Sequence, residues 1–257
     1  MVYSPSSPLD ERRRIDMHIR PYFGLHDPIS SLSHLSAAAA VAAAYYFLYK
    51  KGRGDALRSS ALLIFSASLL FLFSMSGTYH ALPVGPWRAF FRRLDYAAIW
   101  LVIAGSATPV HILLFKGRLR WGLTALFWVC ALSCLVLLEV YFTRLPYWSI
   151  VLGYTAVGSL GFISFAHLTA RLGWKETTLL FLGGMAYAAG GLIEYLDVPV
   201  VIPGVLGPHE LFHFFVMIGA FLHWWFIYNW ADGREPLARG ARRPAADALE
   251  LPPLGDL

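Results

Sequence analysis

Charge is what this chain has least of. Asp, Glu, Lys and Arg make up 14% of its 257 residues, against roughly a quarter in soluble domains. A water-soluble fold of this length needs more polar surface than that to cover itself, so the soluble globular class is excluded. Lys and Arg exceed Asp and Glu, 21 to 16, but they are scattered through loops and tails. Without a basic face there is no nucleic-acid footprint. Cysteine is nearly absent. Cys130 and Cys134 lie four apart on one expected helix, too rigidly spaced for an easy bridge, and read as small apolar packers. Residues 1–28 hold no apolar core of the length a secretory signal needs. Period-two alternation is missing as well, which excludes the strands of a membrane barrel.

What is present is apolar: 57% of the residues, gathered in runs of about 20 separated by short loops rich in Arg, Lys, Gly and Pro. Runs of that length each cross about 30 Å of hydrocarbon as a helix. The expectation is an all-α membrane protein, a seven-transmembrane helix bundle, with spans near 31–50, 59–81, 94–115, 121–142, 148–170, 177–196 and 209–230. Residues 1–30 form a polar N-terminal segment whose Arg12, Arg13 and Arg14 are expected at the membrane surface. Residues 231–257, rich in Ala, Pro, Gly and Arg, form a tail expected to be disordered. Gly153, Gly158 and Gly161 in the fifth span, and Gly183, Gly184, Gly190 and Gly191 in the sixth, read as close-packing positions.

Ionisable groups inside spans are costly and therefore informative. Short loops make neighbouring spans antiparallel, so parity places each group at one membrane face or the other. His80 ends the second span, Asp95 starts the third, and His209 and His213 start the seventh, all at the face where the N-terminus lies. Ser76 lies one turn deeper than His80 on the same helix face. His34 belongs to the same layer. Glu139 and Glu194 reach that face too, Glu139 as an interfacial group and Glu194 as a ligand-supporting or substrate-facing one. His111, His167 and His223 lie elsewhere and read as hydrogen-bonded packers.

His209 and His213, at i and i+4, present two imidazoles on one helix face, and a third from His80 completes three nitrogen donors. That set suits zinc better than magnesium or calcium, which prefer oxygen. Three protein ligands leave a fourth position for water, and Asp95 can supply an anion beside it. With Glu210 the segment His209-Glu-Leu-Phe-His213 also matches the zincin pattern. In that reading Glu210 is the base, but a later acidic ligand should follow, and the seventh span is the last.

Ser76-Gly-Thr-Tyr-His80, Arg93-Leu-Asp95-Tyr and Pro208-His-Glu-Leu-Phe-His213 resemble the three signature regions of the hemolysin III family. That family belongs with the progestin and adipoQ receptors, including the adiponectin receptors, and more distantly with the alkaline ceramidases. Ser31-Leu-Ser-His34, Ile103-Ala-Gly-Ser-Ala-Thr-Pro109 and Gly183-Gly-Met-Ala-Tyr187 agree as well, and the likeness covers about residues 30–230. The third-span motif departs from the more usual Gly-Thr-Tyr-Thr-Pro. The short N-terminus lacks the large extra-membrane domain of the receptor branch, so the bacterial-type branch fits best. The resemblance implies a seven-helix bundle with one zinc on His80, His209 and His213. It implies that Asp95 orients a zinc-bound water, that Ser76 supports the site, and that the chemistry is hydrolysis of a ceramide-like lipid amide.

Two other functions compete with a zinc-dependent lipid hydrolase whose partner is a membrane lipid. One is a non-enzymatic receptor or regulator with a structural zinc, which should show four protein ligands. The other, a cytolytic hemolysin, rests on the family name alone. Orientation is contested: basic residues are more numerous on the side opposite the N-terminus, which favours an outside N-terminus, whereas the receptor branch implies a cytoplasmic one.

Overall fold

In the computed structural model the described residues are 24–234. The expected arginine triplet and most of the C-terminal tail lie outside them. The described residues form eight helices and no strand, with only an isolated bridge between Ile202 and Leu206. They are α1 (Pro28–Gly52), α2 (Ala56–Ala81), α3 (Pro86–Leu114), α4 (Gly117–Tyr141), α5 (Tyr147–Ser159), α6 (Gly161–Leu172), α7 (Trp174–Leu196) and α8 (Pro208–Trp230). The fifth span, Tyr147–Leu172, is α5 and α6 in succession, so the helices make seven spans among the described residues.

The ends follow local chemistry. α1, α3 and α8 begin with proline in the first turn, where the missing N–H is an orphan anyway. Pro86 moves the start of α3 eight residues ahead of the expected 94, so Arg88, Arg92 and Arg93 ride on a helical extension at the membrane surface. α2 is capped by the Asp55 carboxylate, which accepts from the Arg58 amide at 2.7 Å. The fifth span breaks at Leu160, whose amide reaches the Val157 carbonyl while its own carbonyl accepts from Ile163.

Burial shows which faces meet. α3 is the central element, packed against α2, α4, α5, α6 and α8, while α1 bridges α2 and α8. One apolar core gathers Phe65, Leu69 and Phe73 with Val102, Val110 and Phe226. A second joins Trp100 and Ala104 to Phe127, Ala131 and Ile150. The outer faces stay apolar: Val129, Val136 and Leu137 of α4 and Leu152 of α5 are more than half exposed. Lipid, not water, is the partner that such faces require.

The expected glycine packing is corrected in part. A side chain at Gly153 would meet Trp100, at Gly183 His223, and at Gly190 Phe215, so these three are close contacts. Among the described residues, nothing lies within 4 Å of a Cβ at Gly158, Gly161, Gly184 or Gly191, and all four line a cavity.

Candidate metal centre

Three imidazoles converge at the N-terminal end of the bundle. His80 comes from the last turn of α2, His209 and His213 from the first two turns of α8. His209 Nε2 lies 3.2 Å from His80 Nε2 and 3.1 Å from His213 Nε2. One donor atom from each residue falls within 4.8 Å of the others. Metal–nitrogen bonds of about 2.0–2.1 Å in a tetrahedron put ligand nitrogens about 3.3–3.4 Å apart. The group could therefore hold a metal ion.

Two carboxylates set the tautomers. His80 Nδ1 is 2.8 Å from Asp27 Oδ2, and His209 Nδ1 is 3.1 Å from Glu194 Oε1. A carboxylate only accepts, so each imidazole donates from Nδ1 and turns its Nε2 lone pair to the centre. Facing lone pairs repel one another, and a cation between them removes the conflict. Carboxylate–histidine pairs of this kind orient metal ligands and raise their basicity.

Asp27 was absent from the sequence-based candidates because it precedes the first span and looks like an ordinary helix cap. Its side chain makes no cap bond. It receives Arg88 Nη2 at 2.6 Å and pairs with His26 Nδ1 at 2.8 Å. Burial by itself would raise the Asp27 carboxyl, but hydrogen bonds from His80, Arg88 and His26 hold it well below the usual carboxylate range. The backbone fixes the same contact: the Asp27 amide donates to the His80 carbonyl at 2.9 Å and His26 to Ala81 at 3.3 Å. Ser31 Oγ then donates to the Gly77 carbonyl at 3.0 Å.

The remaining expected residues divide clearly. Asp95 and Ser76 are buried and line the same cavity as His209 and His213. Neither belongs to the convergent donor set. His34 joins the layer by stacking on His213, ring centroids 3.8 Å apart and 14° from parallel. Glu194 also accepts from Tyr147 Oη at 2.7 Å. Glu139 is turned outward to Arg93, whose Nε and Nη2 reach Oε2 at 3.0 and 2.7 Å. His167 stacks on Phe115 and His223 bonds the Leu180 carbonyl.

Glu210 has a different occupation from the one the zincin pattern asks of it. It is buried, with Oε1 accepting from Ser30 Oγ at 2.9 Å and Oε2 from the Gly207 amide at 3.0 Å. Both oxygens serve the start of α8 and its seam with α1.

A cavity of about 340 Å³ leads away from the histidines between α3, the fifth span, α7 and α8. Its walls are mainly apolar, among them Leu72, Val102, Ile103, Phe181 and Val216. A second cavity, of about 320 Å³, is bordered by His80 and His209 and lined by Asp27, Asp197 and Glu210 together with Tyr79, Val200 and Ile202. His209 borders both, so the histidine layer meets an apolar chamber and one of mixed lining.

Comparison with known proteins agrees with this architecture. Residues 24–224 match the family described as Haemolysin-III related. The chain is similar to Hemolysin-3 of Bacillus cereus, 26% identical over 173 residues that cover 67% of this chain and 76% of the relative. It is also similar to the Hemolysin-3 homolog of Bacillus subtilis (strain 168), 27% identical over 177 residues, covering 68% and 79%. The family match begins just before α1 and runs into α8, taking in every histidine of the layer. With its seven apolar spans, the chain is a multi-pass integral membrane protein that belongs to the Haemolysin-III related family.

Proposed function

We propose that this protein is a zinc-dependent hydrolase of a lipid amide, ceramide-like in form. One observation carries the reading: three convergent imidazoles stand, with buried Asp95 and Ser76, at the head of a long apolar cavity. A channel or a structural zinc gives no reason for that conjunction, whereas an acyl-chain enzyme needs both parts. His80, His209 and His213 would hold the zinc, which when bound supplies a Lewis acid and lowers the pKa of water at the site.

The chain's own residues do the rest. Asp27 and Glu194 hold His80 and His209 with Nε2 inward. The apolar cavity takes the acyl chain, which aligns the amide carbonyl with the histidine layer and keeps bulk water away from the chain. Asp95, with Ser76 beside it in the cavity wall, accepts the proton of the attacking water as the water oxygen bonds to the carbonyl carbon. As the carbon–nitrogen bond breaks, that proton passes to the leaving amine, giving a free fatty acid and an amine. The second cavity, beside Asp27 and Asp197, provides room for water and the amine-bearing head group.

The test is fatty-acid release by the purified full chain, zinc-loaded and in lipid nanodiscs, measured by mass spectrometry on ceramides and lysolipids. Wild type should release fatty acid, and Asp95→Ala should lower the rate by about 100-fold or more at unchanged zinc content. No release from any of these lipids by the zinc-loaded protein would overturn the assignment.

A further inference from the structure

The connection from α7 to α8, residues 197–207, carries one charge, Asp197, and otherwise holds only Val, Ile, Leu, Pro and Gly. Its aliphatic side chains are not folded inward. Val198 is 45% exposed, Val201 52% and Ile202 49%, with Val200 and Val205 both at 38%. Those exposures approach the ones on the outward face of α7, where Leu192 stands at 56% and Leu196 at 52%. A contiguous apolar patch of this kind calls for a partner other than water.

The backbone suits the same surroundings. The Val201 and Ile202 amides both donate to the Leu206 carbonyl at 3.0 Å, and the Val205 and Leu206 amides donate to the Ile202 carbonyl at 3.0 and 2.8 Å. Pro199 and Pro203 have no N–H to satisfy. Unbonded backbone groups are what hold a loop in water, and here many are bonded internally or missing. The loop stands at the end of the bundle that carries the histidine layer, since it runs directly into Pro208 and His209. Val200, Ile202 and Gly204 also line the second cavity, beside His80 and His209.

Continuity with the lipid-facing surface of α7 names the occupant of the patch. We propose that residues 198–205 form an interfacial loop that sits in the lipid at the boundary of head groups and acyl chains. Asp197 keeps the root of the loop at head-group level, because a carboxylate deeper in hydrocarbon is costly. The second cavity, walled by this loop, then opens within the head-group layer and not above it.

The experiment attaches an environment-sensitive nitrobenzoxadiazole label to Val201→Cys or Val205→Cys in the full chain carrying Cys130→Ala and Cys134→Ala. Val129→Cys, at the middle of α4 and 63% exposed, is the reference. The proteins are placed in lipid nanodiscs with nitroxide lipids, spin-labelled near the head group or near the chain end, and iodide serves as the aqueous quencher. Both loop labels should lose fluorescence to the shallow nitroxide and little to iodide, while the Val129 label loses it to the deep nitroxide. Two loop positions guard against one variant that fails to fold. Adding Val201→Asp/Ile202→Asp to the Val205→Cys protein should expose its label to iodide. Iodide quenching of both loop labels without those aspartates would put the loop in water and overturn the proposal. Shielding from all three quenchers would place a protein on the loop and overturn it too. Unchanged shallow quenching in the aspartate variant would overturn the role of these aliphatic side chains.

Discussion

Asp27 does for His80 what Glu194 does for His209: each accepts from Nδ1 and turns Nε2 toward the common centre. The two carboxylates come from different elements, yet they solve the same problem. Removing one should loosen a ligand without deleting it. Asp27→Asn and Glu194→Gln are each expected to weaken zinc affinity by about 10- to 100-fold, read by competition with a chromophoric chelator. His209→Ala, which deletes the nitrogen shared by both short contacts, should leave the purified protein with almost no zinc by elemental analysis. Glu210 is the instructive contrast, because it sits between two histidines of the candidate metal centre and serves the helix start instead. Glu210→Gln should leave zinc content and hydrolysis near wild type while costing about 1–3 kcal/mol of stability through its two buried hydrogen bonds. Loss of hydrolysis with zinc and fold intact would return the zincin reading.

Among the elements, the start of α1 and the end of α2 are joined by backbone and side-chain hydrogen bonds. Gly77 lets them touch: a Cβ there would lie 2.7 Å from Leu35 Cγ and 3.0 Å from the Leu35 amide nitrogen. Backbone cannot yield as a flexible side chain can, so Gly77→Ala is expected to destabilise by about 1–3 kcal/mol and to shift His80 with it. Gly122 on α4 is the matched control, since a Cβ there meets nothing within 4 Å. Gly122→Ala should be neutral or stabilising by up to about 1 kcal/mol. Denaturant titration in detergent micelles compares the two directly. At the opposite end Arg58 ties three elements together, donating to the carbonyls of Gly52, Arg53 and Asp232. This explains how α1, α2 and α8 stay in register where no histidine layer joins them.

For the whole molecule, the histidine layer borders an apolar chamber and a second cavity of mixed lining, and the proposed hydrolysis uses both. Gly184 faces the apolar chamber with open space where its Cβ would stand. Gly184→Phe should fill that space and weaken palmitate binding by about tenfold or more, with zinc content unchanged. Equal binding would show that the chain lies elsewhere.

Much of this was legible in the order of residues. Hydrocarbon about 30 Å thick demands runs of about 20 apolar residues, and short loops force antiparallel neighbours. Depth therefore follows from position along the chain, and parity alone brought His34, Ser76, His80, Asp95, Glu194, His209 and His213 to one end. Rotation about each helix axis does not follow, because lipid-facing and core-facing surfaces are equally apolar and leave no periodic signal. Only packing turned Glu139 outward to Arg93, committed Glu210 to Ser30 and Gly207, and aimed Asp27 at His80. Packing also separated Gly183 and Gly190, pressed against neighbours, from Gly184 and Gly191, which open a cavity. The sequence by itself determined how deep each group lies, since the membrane measures length. The tertiary structure decided which way each group faces, since that depends on which neighbour it meets.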